Sequence, residues 1–381
     1  MITRIFHPIG QGAFYSEKHE TDSSNVFTIV YDCGCSSDKD NLKDTMIKRT
    51  FNKNQKIDIL FISHFDLDHV SKIPVLNEHT QIERVVMPLL HEEEKILLGN
   101  FYRGMGKTEI TKLVESPESF FGEQTSIIKV KSANGFSLNV ENSATIGIEE
   151  ISQSRTIESG TRLKLGFSNW IFIPYNYEYE ERHLKLVEKL NEAGIDSDKL
   201  SKDKDYAIDE IYKSIGASKR RKVLDPIKTL NNIYKTLEGG INQNSMLVYS
   251  GPNTRNSSRP HEWWRQRVFW QYCCCRNYFL DNCRVACIYT GDANLKKEKV
   301  EKIYADLWEN VGTIQVPHHG SCGSFNGSFL NEGIYLCPIS FGEENRYDHP
   351  ASAVVAEIVK KGSIPVYVTD RGNTVMIEII D

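Results

Sequence analysis

The sequence has no apolar run approaching the roughly 18 residues that a membrane-spanning helix requires. A helical membrane protein is therefore not expected. It has no C-x-x-C pair, and its nine cysteines gather mainly as Cys33-x-Cys35 and the run Cys273-Cys274-Cys275. An odd count in that distribution supports neither a zinc ribbon nor a disulfide framework, and it suits a reducing, cytoplasmic setting. Positive charge is not in excess: 46 Lys and Arg against 51 Asp and Glu leave a formal net charge of −5. No global basic field draws the chain to nucleic acid or anionic lipid. The opening residues, MITRIFHPIGQGAF, lack the long apolar stretch of a secretory leader.

What is present is a chain of 381 residues, 40% hydrophobic, enough for one large core plus an insertion. Its most informative stretch is Ile57–Val70, IDILFISHFDLDHV. Its apolar residues Ile57, Ile59, Leu60, Phe61 and Ile62 form a run too short for a helix, which reads as a buried strand. It breaks into a loop holding His64, Asp66, Asp68 and His69 within six residues. Two imidazoles and two carboxylates at the end of a buried strand point to a metal site, or a pair of them, because such a cluster needs a cation to neutralise it. A solvated acidic turn is the plainer alternative.

Before that stretch, Ile2–Phe6 and Val26–Asp32 read as strands. Gly10-Gln11-Gly12 makes a turn between them, and Asp32-Cys33-Gly34-Cys35 reads as a polar turn after the second. A helix is expected within 37–56 and a further strand at Ile82–Met87, which gives α/β alternation. Gly104–Thr108 resembles the tail of a phosphate-binding loop, but Phe101 stands where that pattern needs glycine. Residues 126–175 read as antiparallel strands at Ser126–Val130, Phe136–Val140, Leu163–Phe167 and Trp170–Pro174.

Residues 176–240 read as a helical insertion. In it Glu178–Ala193 carries Leu184, Val187 and Leu190 on one face, further helices are expected at Tyr206–Ile215 and Leu224–Leu237, and Lys219–Lys222 form a basic patch. Residues 252–283 interleave His261, Trp263, Trp264, Arg265, Arg267, Phe269 and Trp270. They fit either a stacking platform or partner surface, or the buried face of a helix.

Later strands again hand over to ligand-type residues. Arg284–Tyr289 precedes Thr290-Gly291-Asp292, Thr313–Val316 precedes His318-His319-Gly320-Ser321, and Ile334–Phe341 precedes Asn345-Arg346-Tyr347-Asp348-His349-Pro350.

Taken with Asn244-Ser245 and Thr369–Asn373, these motifs resemble, in order and rough spacing over about 1–90 and 241–381, the ComEC-like group of metallo-β-lactamase-fold hydrolases. That group is named after the soluble domain of a bacterial DNA-uptake channel. The resemblance implies one metallo-β-lactamase αββα four-layer sandwich spanning 1–381, of class α/β, with helical insertion 176–240 and Trp/Arg/Cys-rich insertion 252–283.

It also implies two divalent metal ions, zinc or manganese. His64 and Asp66 would bind one, Asp68 and His69 the other, with Asp292 bridging and His318 completing the second site. Asp66 stands where most of the superfamily has histidine, which hardens the site toward manganese. The chain shows no clear counterpart of the further histidine that many superfamily members place mid-chain, so the first site is expected to be incomplete or finished by water. Two metals roughly 3.5–4 Å apart would hold a hydroxide and neutralise a phosphoryl oxygen. Asp68 and His349 are the implied catalytic groups, with His319, Ser321, Arg346 and His349 as substrate contacts. Each of those four could instead orient a ligand.

The implied activity is phosphodiester hydrolysis, with a nuclease of a bacterial defence or stress system as the first expectation. A small-nucleotide phosphodiesterase is the second. The third is a subunit that docks a protein partner through 252–283 or 176–240 and carries a structural metal. No membrane partner is expected.

Overall fold

The computed structural model describes residues 1–20, 26–38, 41–133, 144–204, 206, 226–237, 241, 244–254, 266–270, 278–279, 284–297 and 299–381. Among these, ten strands form one mixed sheet and eight form another. The first sheet has a parallel half, in which Val26–Cys35, Ile59–Phe61, Arg84–Pro88, Ser126–Val130 and Arg155–Ile157 lie side by side. Its antiparallel half runs from Val26–Cys35 through Gly12–Glu20, Ile2–Phe6 and Met376–Ile380 to Gln266–Phe269. The second sheet joins Ala286–Tyr289, Val311–Ile314, Leu336–Ser340 and Ile364–Val368 in parallel. Asn244–Pro252 and Trp170–Glu178 continue it antiparallel.

Three apolar clusters hold these layers. One lies between the sheets, with Tyr15, Tyr31 and Phe61 from the first packing with Phe172, Val248 and Tyr289 from the second. A second packs the helices Leu42–Thr50, Ile73–His79, Glu92–Gly104 and Thr108–Glu115 on the outer face of the first sheet. A third packs Ser352–Lys360 and neighbouring turns on the second sheet. Ile59, Leu60, Phe61 and Ile62 are each at most 1% exposed. Burying side chains of this size contributes about 1.5–3 kcal/mol apiece, which explains the unbroken apolar run of a strand covered on both faces.

Several expectations need correction. The Ser126–Val130 strand is parallel to its neighbours, not antiparallel. The strand beginning at Val26 does not turn at Asp32 but continues to Cys35. In the helix Glu180–Glu192 the buried residues are Leu186 and Leu190, while Leu184 is 64% exposed. The i, i+4 pair sets the buried face, and Leu184 lies off it. Gln266–Phe269 is a strand, not a helix face, and Val268 is its residue in the inter-sheet core. Two helices flank the glycine–lysine segment near Gly104, consistent with rejecting a phosphate loop there. The expected strand at 136–140, the helix at 206–215, the basic patch 219–222, residues 261–265 and the triple cysteine fall largely or wholly outside the described residues. No described helix is long and apolar enough to cross a membrane.

Candidate metal centre

The ligand-type residues sit where parallel strands of both sheets end, the edge at which α/β sheets place their sites. Strand Ile59–Phe61 delivers Ser63 and His64, and the short helix Leu67–Val70 follows at once, with Asp66 just before its start. Ser63 ties this loop back in two ways: its N–H donates to Asp32 Oδ1 and its hydroxyl to Asp32 Oδ2, both at 2.7 Å. From the other sheet, Met246 N–H donates to the Ser63 carbonyl at 2.8 Å. The two sheets are stitched together beside the cluster.

Asp32 occupies a bulge. Tyr31 pairs with Tyr15 and Cys33 with Phe14, so Asp32 is the extra residue, with φ of 52°. A bulge re-aims a side chain without ending the strand, and here it points a carboxylate at the ligand loop. Its partner Gly34 permits the close fit, because a Cβ there would lie 2.5 Å from backbone atoms of His69 and Val70.

Three histidines share one logic. His69 Nδ1 lies 2.8 Å from Asp32 Oδ2, so Nδ1 carries a proton and Nε2 is the nitrogen left to take a second proton or a metal. His319 Nδ1 lies 2.8 Å from the Ser340 carbonyl, which can only accept, with the same consequence. The Ser63 hydroxyl already donates to Asp32, so it accepts from His64 Nδ1 at 2.8 Å. Each Nε2 then faces a carboxylate. His69 Nε2 is 3.2 Å from Asp292 Oδ1, His64 Nε2 is 3.6 Å from Asp292 Oδ2, and His319 Nε2 is 3.1 Å from Asp68 Oδ2.

A lone pair facing a carboxylate is repulsive unless a proton or a metal lies between them. Donor atoms held at about 2.1 Å by one ion sit about 3 Å apart in octahedral and about 3.4 Å apart in tetrahedral geometry, which matches these separations. His64 Nε2, His69 Nε2, Asp68 Oδ1 and Asp292 Oδ1 are also buried with no hydrogen-bond partner among the described residues. Two groups result, His64–His69–Asp292 and Asp68–His69–His319, each with ligand atoms within 4.8 Å of one another. The residues fit divalent metal ions.

The electrostatics agree. Burial pulls the His69 pKa down, but Asp292 and Asp32 outweigh it and hold the imidazole well above its ordinary value. Burial raises the Asp292 carboxyl, yet His318, His69 and His64 hold it well below the usual carboxylate range. Asp68 is likewise lowered against burial, chiefly by His319 and His69. His349 is lowered to about 4 by burial and by His319 and His318.

The structure brings together His64, Asp66, Asp68, His69, Asp292, His318 and His319. Asp66 Oδ2 is 3.4 Å from His64 Nε2, and His318 Nε2 is 3.9 Å from Asp292 Oδ2. The imidazole facing Asp68 is that of His319 rather than His318, and both residues have positive φ, 55° and 49°. His349 lies beside them, its ring 5.9 Å from that of His318 and 6.2 Å from that of His319. Ser321 caps its own loop, accepting from Gly323 N–H at 3.3 Å. Arg346 is exposed, bonded to the Tyr347 hydroxyl and stacked 4.6 Å from that ring's centroid. Cys33 and Cys35 are buried free thiols outside both groups.

Residues given no site role from the sequence matter as much. Asp32 fixes His69, and Gln315 Oε1 accepts from the N–H groups of Thr290 and Gly291 at 2.8 and 2.9 Å, shaping the turn that presents Asp292. Asp32 had a signal in its Asp-x-Gly setting after a strand, whereas Gln315 had none.

Residues 25–138 match the metallo-beta-lactamase superfamily, whose members are typically metal-dependent hydrolases. That span holds Asp32 and the His64–His69 motif, while Asp292 to His349 lie beyond it. No curated protein matches the chain.

Proposed function

We propose that the chain is a metal-dependent phosphodiester hydrolase of the ComEC-like kind, a nuclease acting on DNA or RNA, built on the αββα sandwich of the metallo-β-lactamase fold. The observation that carries the metal-dependent part is the set of three imidazoles whose Nδ1 atoms are tied back while their Nε2 atoms converge on Asp68 and Asp292. Divalent ions there would supply a Lewis acid for a phosphoryl oxygen and lower the pKa of a bound water. His64, Asp66 and Asp292 would hold one ion, and Asp68 and His319 the other, with His69, the member common to both groups, giving the single lone pair of its Nε2 to one of them.

The chain's own residues prepare this site. Asp32, Ser63 and Ser340 fix the imidazole tautomers. Asp68 Oδ1, buried beside the second group, would orient the attacking water. Gln11 Nε2 donates to His349 Nδ1 at 3.4 Å while its Oε1 accepts from Gly342 N–H. With its pKa near 4, His349 is then neutral with its proton on Nε2, and it serves as a hydrogen-bond donor to substrate rather than as an imidazolium acid. Arg346, exposed at the rim, suits contact with a phosphate further along a bound strand.

The phosphodiester as substrate rests on the likeness of the motif order. A small nucleotide is the second reading, favoured by the net charge of −5, which repels a long polyanion.

The test is turnover of labelled single- and double-stranded DNA, RNA and a nucleotide panel with Mn²⁺, Zn²⁺ or EDTA. Polymer cleavage that requires metal and disappears in Asp68→Ala upholds the nuclease reading. Cleavage confined to nucleotides moves the assignment to the second reading.

A further inference from the structure

The helical block supplies an arginine to the metal centre. Arg182, in the first turn of helix Glu180–Glu192, donates from Nη2 to the backbone carbonyl of Asp292. Its guanidinium carbon lies 4.4 Å from the centroid of the Tyr179 ring, and the Tyr179 hydroxyl accepts from Asn294 N–H at 2.7 Å. Lys297 pairs with Glu181 at 2.6 Å. The start of this helix therefore grips the loop that presents Asp292 at three points.

One feature exceeds what gripping requires. Arg182 Nη1 is shut off from solvent and has no hydrogen-bond partner among the described residues. An arginine cannot shed its charge to relieve this, so the nitrogen remains a donor without an acceptor. The negative charges acting on the guanidinium are Asp292 and Asp66, both members of the metal cluster. Metal ions satisfy the unpaired imidazole nitrogens and carboxylate oxygens around the same centre, but they cannot satisfy an N–H. An anion can. In phosphoryl transfer, negative charge gathers on the non-bridging oxygens, and a desolvated, pre-placed guanidinium interacts strongly with it.

We propose that Arg182 is a substrate-binding residue, its Nη1 donating to a non-bridging phosphoryl oxygen held against the metal centre. The substrate class in this statement rests on the phosphodiesterase reading. The insertion is then part of the active site, contributing a cation that neither ligand motif carries.

The test uses full-length protein loaded with Mn²⁺, as wild type, Arg182→Lys and Arg182→Met. Calorimetry gives metal stoichiometry and the affinity for inorganic phosphate, and steady-state kinetics on a phosphodiester gives kcat and KM. The proposal expects unchanged metal stoichiometry in both variants. It expects phosphate affinity to fall about tenfold or more in Arg182→Met, as for loss of a charge-assisted hydrogen bond, and to recover in part in Arg182→Lys. Phosphate affinity unchanged in Arg182→Met overturns it. Loss of metal in both variants also overturns it, because Arg182 would then only support the Asp292 loop. Arg182-dependent phosphate binding in a wild type that cleaves no phosphodiester upholds the anion site and removes the nuclease reading instead.

Discussion

Asp32 contacts no substrate in this account, yet it decides what His69 can do. By accepting from Nδ1 it fixes the tautomer, and by accepting from Ser63 it fixes the loop that carries His64. Outer partners of this kind typically set metal affinity within a factor of 10–100. Asp32→Ala is therefore expected to weaken Mn²⁺ or Zn²⁺ binding by about that factor in calorimetry, and an unchanged affinity would remove Asp32 from the site.

The raised pKa of His69 carries a second prediction. In the metal-free protein the proton on His69 stabilises the fold fully below the ordinary histidine value of 6.5, and that contribution fades as pH rises through the raised value. Metal must displace this proton. Apparent affinity should rise with pH, with proton release visible as a dependence on the buffer's ionisation enthalpy. Affinity independent of pH across this range would contradict the raised assignment.

At the scale of elements, the sequence showed most of the strands but few of the joints between them. The apolar run before His64, and the handover from strand to ligand at Asp292 and His318, were legible because fully buried parallel strands must be continuously apolar and their loops polar. The Asp32 bulge was not, since a strand that continues through Asp-Cys-Gly-Cys looks like one that ends there. The choice between His318 and His319 was closed to sequence as well. Both sit at positive φ; the Ser340 carbonyl holds the His319 ring, which faces Asp68, while the Ser324 hydroxyl lies 3.3 Å from His318 Nδ1. The helical block was visible as a block, but its phase was misread at Leu184, and its contacts with the site were hidden. Those contacts are testable. The Tyr234 hydroxyl accepts from Leu67 N–H at 2.7 Å, reaching from helix Pro226–Thr236 to the start of the ligand helix. Tyr234→Phe should cost about 1 kcal/mol of stability, read by denaturant titration, and should weaken metal binding with it. Gly34→Ala should cost more, about 1–3 kcal/mol as an overpacked site, because the new carbon meets backbone rather than a side chain that can swing away. A fully stable Gly34→Ala protein would mean that the strand and the ligand helix are not in this contact.

For the whole molecule, the two sheets contribute different halves of one centre. His64 to His69 come from the first, and Asp292, His318, His319 and His349 from the second, with Met246 and Ser63 bonded across the seam. The superfamily match covers only the first half. A centre assembled this way couples metal to the docking of the sheets. Metal in hundredfold excess over its dissociation constant should stabilise the fold by about 2.7 kcal/mol, seen as a higher Tm that EDTA reverses.

The claim on which the rest depends is that the cluster holds metal and uses it for hydrolysis. The most direct test is hydrolysis of a phosphodiester by metal-stripped protein as Mn²⁺ is titrated back, with Asp292→Ala alongside. The account predicts no activity without metal, activity that saturates as metal is bound, and none in Asp292→Ala at any Mn²⁺ concentration despite a folded chain. Activity that survives chelation, or an Asp292→Ala protein as active as wild type, would contradict it.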